Sequence, residues 1–273
     1  MHTPERIISI NGVPRSGTSW LGQIINSSPD VAFRFQPLFS YTHKGALRED
    51  STVTEIMKFY GDILHTEDKF VLQRDPNIHV GYPEFAKNPQ PTHLVYKNVR
   101  YHYLLEGLLE KIPGLNVIGI VRHPCAVIHS WHRAPREFKP EWDFATQWRS
   151  AELKNAGQRE EYFGYDRWKE VATMFVRLEQ RFPERVTLVK YSELHDDPVR
   201  ISRSLFDRIQ LPFGAATRDF ISESQNTVVD DPNSVHRGGH NDHAWMGQLP
   251  ESIVSAIRSD LIGSPLSGFW DTP

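Results

Sequence analysis

The sequence predicts a three-layer α/β protein, a central parallel sheet flanked by helices on both faces. Three observations predict it. Five short apolar runs are rich in β-branched or aromatic residues and bounded by turn or helix signals. Helical patterns lie between them. The first run passes through a glycine-bounded loop straight into a helix. Strands that alternate with helices favour parallel pairing, with both sheet faces covered.

In chain order, Arg6–Asn11 reads as the first strand and Thr18–Ser27 as the helix that follows it. Val31–Phe35 is the second strand. Ser40–Pro91 is less regular, with turn signals at Asp75-Pro76 and Asn88-Pro89, and reads as an insertion of helices and loops where a substrate site is expected. His93–Asn98 is a strand, and Tyr103–Lys111 places Leu104, Leu105, Leu108 and Leu109 on one helix face. Asn116–Arg122 is the fourth strand and ends in a helix that carries Ser130. Trp142–Asn155 and Tyr165–Phe182 read as helices, Arg185–Lys190 as the fifth strand, and Asp197–Ile209 as a helix with Pro198 in its first turn. No linker interrupts the 273 residues, so one domain is expected over 1–273, with the insertion at about 40–91.

A net charge of −3 leaves no basic footprint for nucleic acid. The single cysteine, Cys125, excludes an intramolecular disulfide and a thiolate zinc cluster. Met1–Arg6 is polar, Ile7–Ile10 is too short for a signal-peptide core, and no window reaches the ~20 apolar residues of a membrane span. The expectation is a cytoplasmic globular protein; the sequence sets no oligomeric state.

The strongest chemical signal is Gly12-Val13-Pro14-Arg15-Ser16-Gly17-Thr18-Ser19. Its two glycines are spaced as in a nucleotide-binding P-loop, where tight backbone turns aim amides at an anion and the helix N-terminus adds partial positive charge. The position of the usual lysine holds Thr18, and the fixed charge sits inside the loop at Arg15. A loop without that lysine is suited to a phosphate-like group, not to a triphosphate with magnesium.

The run Pro14–Leu21 resembles the 5′-phosphosulfate loop of sulfotransferases that use 3′-phosphoadenosine 5′-phosphosulfate (PAPS). Val117–Pro124 with Ser130 resembles the same family's 3′-phosphate site, an arginine at a strand end followed by a serine eight residues later; here these are Arg122 and Ser130. Leu188–Leu194 resembles the late strand whose tyrosine, here Tyr191, lies near the nucleotide. Lys97-Asn98-Val99-Arg100 resembles the strand that carries a lysine to the transferred group. Asn26–Phe39 looks most like the carbohydrate-type branch. The resemblance implies a P-loop-like fold and sulfuryl transfer from PAPS to a hydroxyl of a carbohydrate or small alcohol, or to an amine. It implies Arg15, Ser16, Gly17, Thr18, Ser19, Trp20, Arg122, Ser130, Tyr191 and a late segment at Arg237-Gly238 as nucleotide-binding residues, with Lys97 stabilising transferred charge and no metal.

The sequence departs from the pattern at the proton acceptor. Carbohydrate- and tyrosine-type members place a glutamate about where Gln36 sits, and an amide has no useful basicity. Phenol-type members put a histidine where this chain has Val99. His102, the nearest histidine on that element, is the first candidate base, His43 and His65 in the insertion are further candidates, and Gln36 either orients the acceptor or marks lost activity. His123 and Cys125 also replace residues that are commonly Asp and Arg. His236, His240 and His243 have the spacing of a helix face, but two glycines interrupt it, so a loop is expected there and not a metal site. Trp142, Trp148 and Trp168 read as core residues. Two other readings remain: a non-catalytic nucleotide-binding module, which Gln36 favours, and a P-loop kinase, which the missing lysine disfavours.

Overall fold

Arg6–Asn11 (β1), Val31–Phe35 (β2), His93–Asn98 (β3), Leu115–Val121 (β4) and Val186–Lys190 (β5) form one sheet in the order β2–β3–β1–β4–β5, every neighbouring pair parallel. The computed structural model describes residues 4–75, 81–229, 234–236 and 238–270. Its α-helices are Thr18–Asn26 (α1), Val53–Leu64 (α2), Leu105–Lys111 (α3), Pro124–His132 (α4), Phe144–Ser150 (α5), Glu152–Asn155 (α6), Tyr165–Arg181 (α7), Tyr191–Asp196 (α8), Pro198–Arg208 (α9), Ala215–Asn226 (α10) and Glu251–Leu261 (α11).

The period of two along each strand feeds two cores. Ile7, Val117 and Val121 face the side covered by α2, α3, α4, α7 and α11, with Phe59, Leu109, Ile128, Phe175 and Ile257 among the buried partners. Ile8, Ile10, Ile118 and Ile120 face the side covered by α1, α9 and α10, where Trp20, Phe206 and Phe220 are buried. A strand buried on both faces has to read as a near-continuous apolar run, as these strands do.

The helix expected over Trp142–Asn155 is two helices. Ala151 takes a left-handed backbone (φ 48°), which breaks the first helix, and the Gln147 side chain accepts the Leu153 N–H at 2.9 Å across the break. The irregular insertion contains α2, opened by a capping box between Thr52 and Glu55. Of the three tryptophans read as core, Trp168 is fully buried and donates its indole N–H to the Arg122 carbonyl at 2.9 Å. Trp142 and Trp148 are only partly buried.

Strand register lines up the functional positions. Ile10 pairs with Lys97, Lys97 with Phe35, and Val121 with Lys190. The residues just past these strand ends, Gly12, Gln36, Val99, Arg122 and Tyr191, therefore share the carboxyl edge of the sheet. β1 and β4 are neighbours, but the chain leaves them toward opposite sides, to β2 and to β5. Such a switch point opens the crevice where α/β sheets bind ligands. Among the described residues, no helix is long and apolar enough to cross a membrane.

Candidate active site

The loop between β1 and α1 is held by short-range geometry. The Ser16 hydroxyl donates to the Val13 carbonyl at 2.5 Å. A side chain at Gly12 would lie 2.6 Å from Ser16 Oγ and 2.8 Å from the Ile120 carbonyl. Gly17 has φ 92°, and a Cβ there would meet the Tyr191 ring at 2.4 Å. Arg15 itself is left-handed (φ 72°), a conformation that costs a non-glycine residue and persists only where its surroundings enforce it. Gly17 caps α1 without a side chain, so the amides of the first turn have no side-chain acceptor.

This loop opens on a cleft of about 850 Å³, lined by Arg15, Thr18, Ser19, Arg122, His129 and Ser130 and by residues 238–242. Arg15 Nε donates to Ser130 Oγ at 3.1 Å, across 115 residues of sequence. The Arg122 guanidinium donates to the Arg15 carbonyl at 2.9 Å, sits 3.1 Å from His240 Nε2, and pairs with Asp242 Oδ1 at 2.6 Å in a bridge only 6% and 7% exposed. Its other side stacks 4.7 Å over the Tyr191 ring, and the Tyr191 hydroxyl is buried without a hydrogen-bond partner. Two cations and a serine thus converge on the helix-entry loop.

At the next strand, Lys97 is buried, donates to Ser19 Oγ at 2.8 Å and lies 4.4 Å from the Phe35 ring centre. Burial pushes its pKa down to about 7; the Glu137 carboxylate pulls it up, and Arg100 and Arg15 push it further down. Gln36 follows β2 with φ 41°, donates its backbone N–H to the Lys97 carbonyl at 2.8 Å, and accepts from Arg100 Nη1 at 3.4 Å. Arg100 in turn is held by Glu161 at 2.7 Å and by the Phe39 ring at 4.0 Å.

Several positions differ from the sequence reading. His102 is 1% exposed, enclosed edge-on by Tyr162 and Phe175, and burial lowers its pKa to about 3; its ring is in the core and does not line the cleft. The Trp20 side chain is likewise wholly buried, its N–H donated to Ser224 Oγ at 3.0 Å, so it supports the loop from behind. Ser16 spends its hydroxyl inside the loop. Arg237 lies outside the described residues, while Gly238 lines the cleft and donates to the Thr227 carbonyl at 3.1 Å. His240 contacts Arg122. His123 caps α4 by accepting the Cys125 N–H at 3.2 Å and stacks on Trp245, a structural use for the residue that departs from the family pattern. Sequence reasoning missed Asp242, His129 and Glu161. Asp242 had one available signal: Arg122, buried at a strand end, needs a counter-charge.

A family model described as the sulfotransferase family matches residues 8–215. No curated protein is a significant match. Among solved structures, mouse sulfotransferase SULT7A1 complexed with PAP is 15% identical, with 97% of this chain and 88% of that one covered and a TM-score of 0.54. A sulfotransferase from Alicyclobacillus acidocaldarius is 16% identical (99% and 100% covered, TM-score 0.54). The sulfotransferase domain of the Synechococcus PCC 7002 olefin synthase is 19% identical (100% and 98%, TM-score 0.52). At such identities the likeness speaks to the fold, and the family match, which spans the phosphate loop, Lys97, Arg122, Ser130 and Tyr191, carries the assignment: the chain belongs to the sulfotransferase family.

Proposed function

We propose that the cleft binds PAPS and that the protein transfers its sulfuryl group to a hydroxyl or amine of a small-molecule or carbohydrate acceptor. The observation that carries this reading is the convergence of Arg15, Ser130 and Arg122 on a helix-entry loop whose lysine position is Thr18, with Lys97 bonded to Ser19 beside it. The residues fit a nucleotide with two phosphate groups. The α1 amides and Arg15 suit the 5′-phosphate, and Arg122 with Ser130 suits the 3′-phosphate. The buried Tyr191 ring packs against Gly17 and Arg122, beneath the loop that would hold the nucleotide. When bound, PAPS supplies the activated sulfuryl group.

The remaining chemistry is positioning and charge stabilisation. Thr18, Ser19 and Lys97 are the donors nearest the start of α1, and they stabilise charge that develops as the bond to the 5′-phosphate breaks. Gln36, fixed through Arg100 and Glu161, orients the acceptor. Residues 1–273 act as a single domain, with the 40–91 insertion on the acceptor side.

Thermal unfolding tests the nucleotide part. The desulfonated product PAP should raise the melting temperature well above the shift given by AMP at the same concentration, and ATP with magnesium should give less than either; a ligand at 100 times its Kd adds about 2.7 kcal/mol. Equal shifts with PAP and AMP, or the largest shift with magnesium and ATP, would overturn it.

A further inference from the structure

Three partners already engage the Arg122 guanidinium. Nε and Nη2 each lie 2.6 Å from Asp242 Oδ1, Nη1 donates to the Arg15 carbonyl at 2.9 Å, and Nη2 also meets His240 Nε2 at 3.1 Å. A guanidinium carries only donors, so the last contact settles the protonation of His240. Nε2 accepts, the ring proton sits on Nδ1, and the imidazole is neutral.

His240 is placed to touch whatever Arg122 touches. It lines the cleft together with Ser130 and Asp242. Asp242 and His240 share one nitrogen of the fork, so a group that replaces Asp242 on Nη2 arrives beside His240 Nε2. The exchange is unequal in charge. Asp242 brings one negative charge, and a phosphate monoester at neutral pH brings about two. Phosphate oxygens also present acceptors to the Nε2 lone pair. A proton on Nε2 answers both: it turns an acceptor into a charge-assisted donor and adds one positive charge. The other titratable or charged groups around the ring are Arg122 at the end of β4, Tyr191 and His195 on α8, with ring centres 6.3 and 6.0 Å away, Asp242 on its own segment, and Arg15 and His129 in the same cleft. The two arginines stay charged throughout. His129 Nε2 is 3.0 Å from Gln248, and His195 Nδ1 is 3.4 Å from Asp196. His240 is the imidazole in contact with Arg122 itself.

We infer that His240 is a further ligand of the 3′-phosphate and takes up a proton as that phosphate binds. This rests on the nucleotide reading above. The proton comes from solvent. Nε2 passes from accepting an Arg122 N–H to donating to a phosphate oxygen, and the N–H it gives up turns to a second phosphate oxygen. The site then reads the 3′ group by charge: a 3′-phosphate recruits the proton, and a 3′-hydroxyl does not.

Titration calorimetry of the full chain, in buffers of different ionisation enthalpy at pH 7.5, tests this. At that pH a phosphate monoester, with its second pKa at about 6, has lost its own proton. PAP should take up a fraction of a proton more than AMP; any uptake at Lys97, on the 5′ side, is common to the two ligands. From pH 7 to pH 8 the preference for PAP over AMP should fall several-fold, with a ceiling of about tenfold per pH unit for one proton. His240→Gln keeps an acceptor for Arg122 and a donor for phosphate and gives up only the proton. In that variant the excess uptake and the pH dependence of the preference should vanish, while PAP still binds more tightly than AMP. His195→Gln should retain both. Equal uptake by PAP and AMP in the wild type, an excess that survives His240→Gln, or one lost equally in His195→Gln would each overturn the role of His240. Wild-type protein that binds PAP no more tightly than AMP would instead overturn the 3′-phosphate assignment, and this inference with it.

Discussion

The two ends of the cleft are built differently. On the nucleotide side, one continuous loop of eight residues supplies amides, a cation and a helix start, and a single later strand end adds Arg122 and Ser130. On the side proposed for the acceptor, Gln36, Lys97, Arg100 and Glu161 come from three separated stretches and are joined by hydrogen bonds. Backbone geometry fixes the first region, and long-range charge placement fixes the second. A phosphate group presents much the same shape to every member of a family, whereas acceptors differ, so a site made of separable side chains can change one partner at a time.

The largest effect should separate the two regions at the level of the backbone. Gly17→Ala has to fit a Cβ 2.4 Å from the Tyr191 ring at φ 92°, so it should destabilise by roughly 2–4 kcal/mol in urea titration and abolish the thermal shift with PAP. Gly45→Ala, in the 40–91 insertion, has a similar φ of 75° but nothing within 4 Å, and should cost about 1 kcal/mol, with the PAP shift intact. Similar losses at the two glycines would erase the distinction.

A smaller effect sharpens it on the nucleotide side alone. A charge-assisted arginine contact contributes about 1.5–3 kcal/mol. Replacing Arg122 by Ala together with Asp242→Asn, so that no buried carboxylate is left unpaired, should weaken PAP binding about 10-fold or more in titration calorimetry and leave AMP nearly unchanged. Equal weakening of the two ligands would remove Arg122 from the 3′-phosphate.

The smallest expected effect crosses the boundary, at Lys97. With its pKa pushed down to about 7, the lysine is mostly neutral at pH 8 and mostly charged at pH 6. An anion bound beside it favours the charged form. Nucleotide binding should therefore take up a fraction of a proton at pH 8 and much less at pH 6, read as a dependence of calorimetric heat on buffer ionisation enthalpy. Lys97→Met should lose the difference between the two pH values. Proton release at pH 8 by wild type would contradict the burial-driven shift.

What the sequence made legible follows the same division. The strands, the loop and the Arg122–Ser130 spacing are local patterns, and local patterns survive in one dimension: a period of two, a five-residue glycine spacing, an eight-residue step. The five strand runs fall within one residue of the observed strands. Ala151 broke a predicted helix because its left-handed backbone has no apolar signature, and α10 and α11 were missed because their apolar residues, such as Phe220, Ile221, Ile253 and Ile257, are sparse among polar ones. His102 was read from its nearness in sequence to Lys97. The 3₁₀ turn at His102–Leu104 points it instead into the core under Tyr162 and Phe175. Asp242 carries no motif at all. Its relevance is set by Arg122, its buried partner 120 residues away in sequence.

The buried pair of Arg122 and Asp242 has a consequence for how a ligand arrives. The protein itself supplies the guanidinium with an internal anion, so a phosphate that comes to Arg122 replaces one negative partner with another. Little mobile counterion or first-layer water has to leave that arginine. Affinity should therefore depend on ionic strength less steeply than the number of cations around the cleft would suggest.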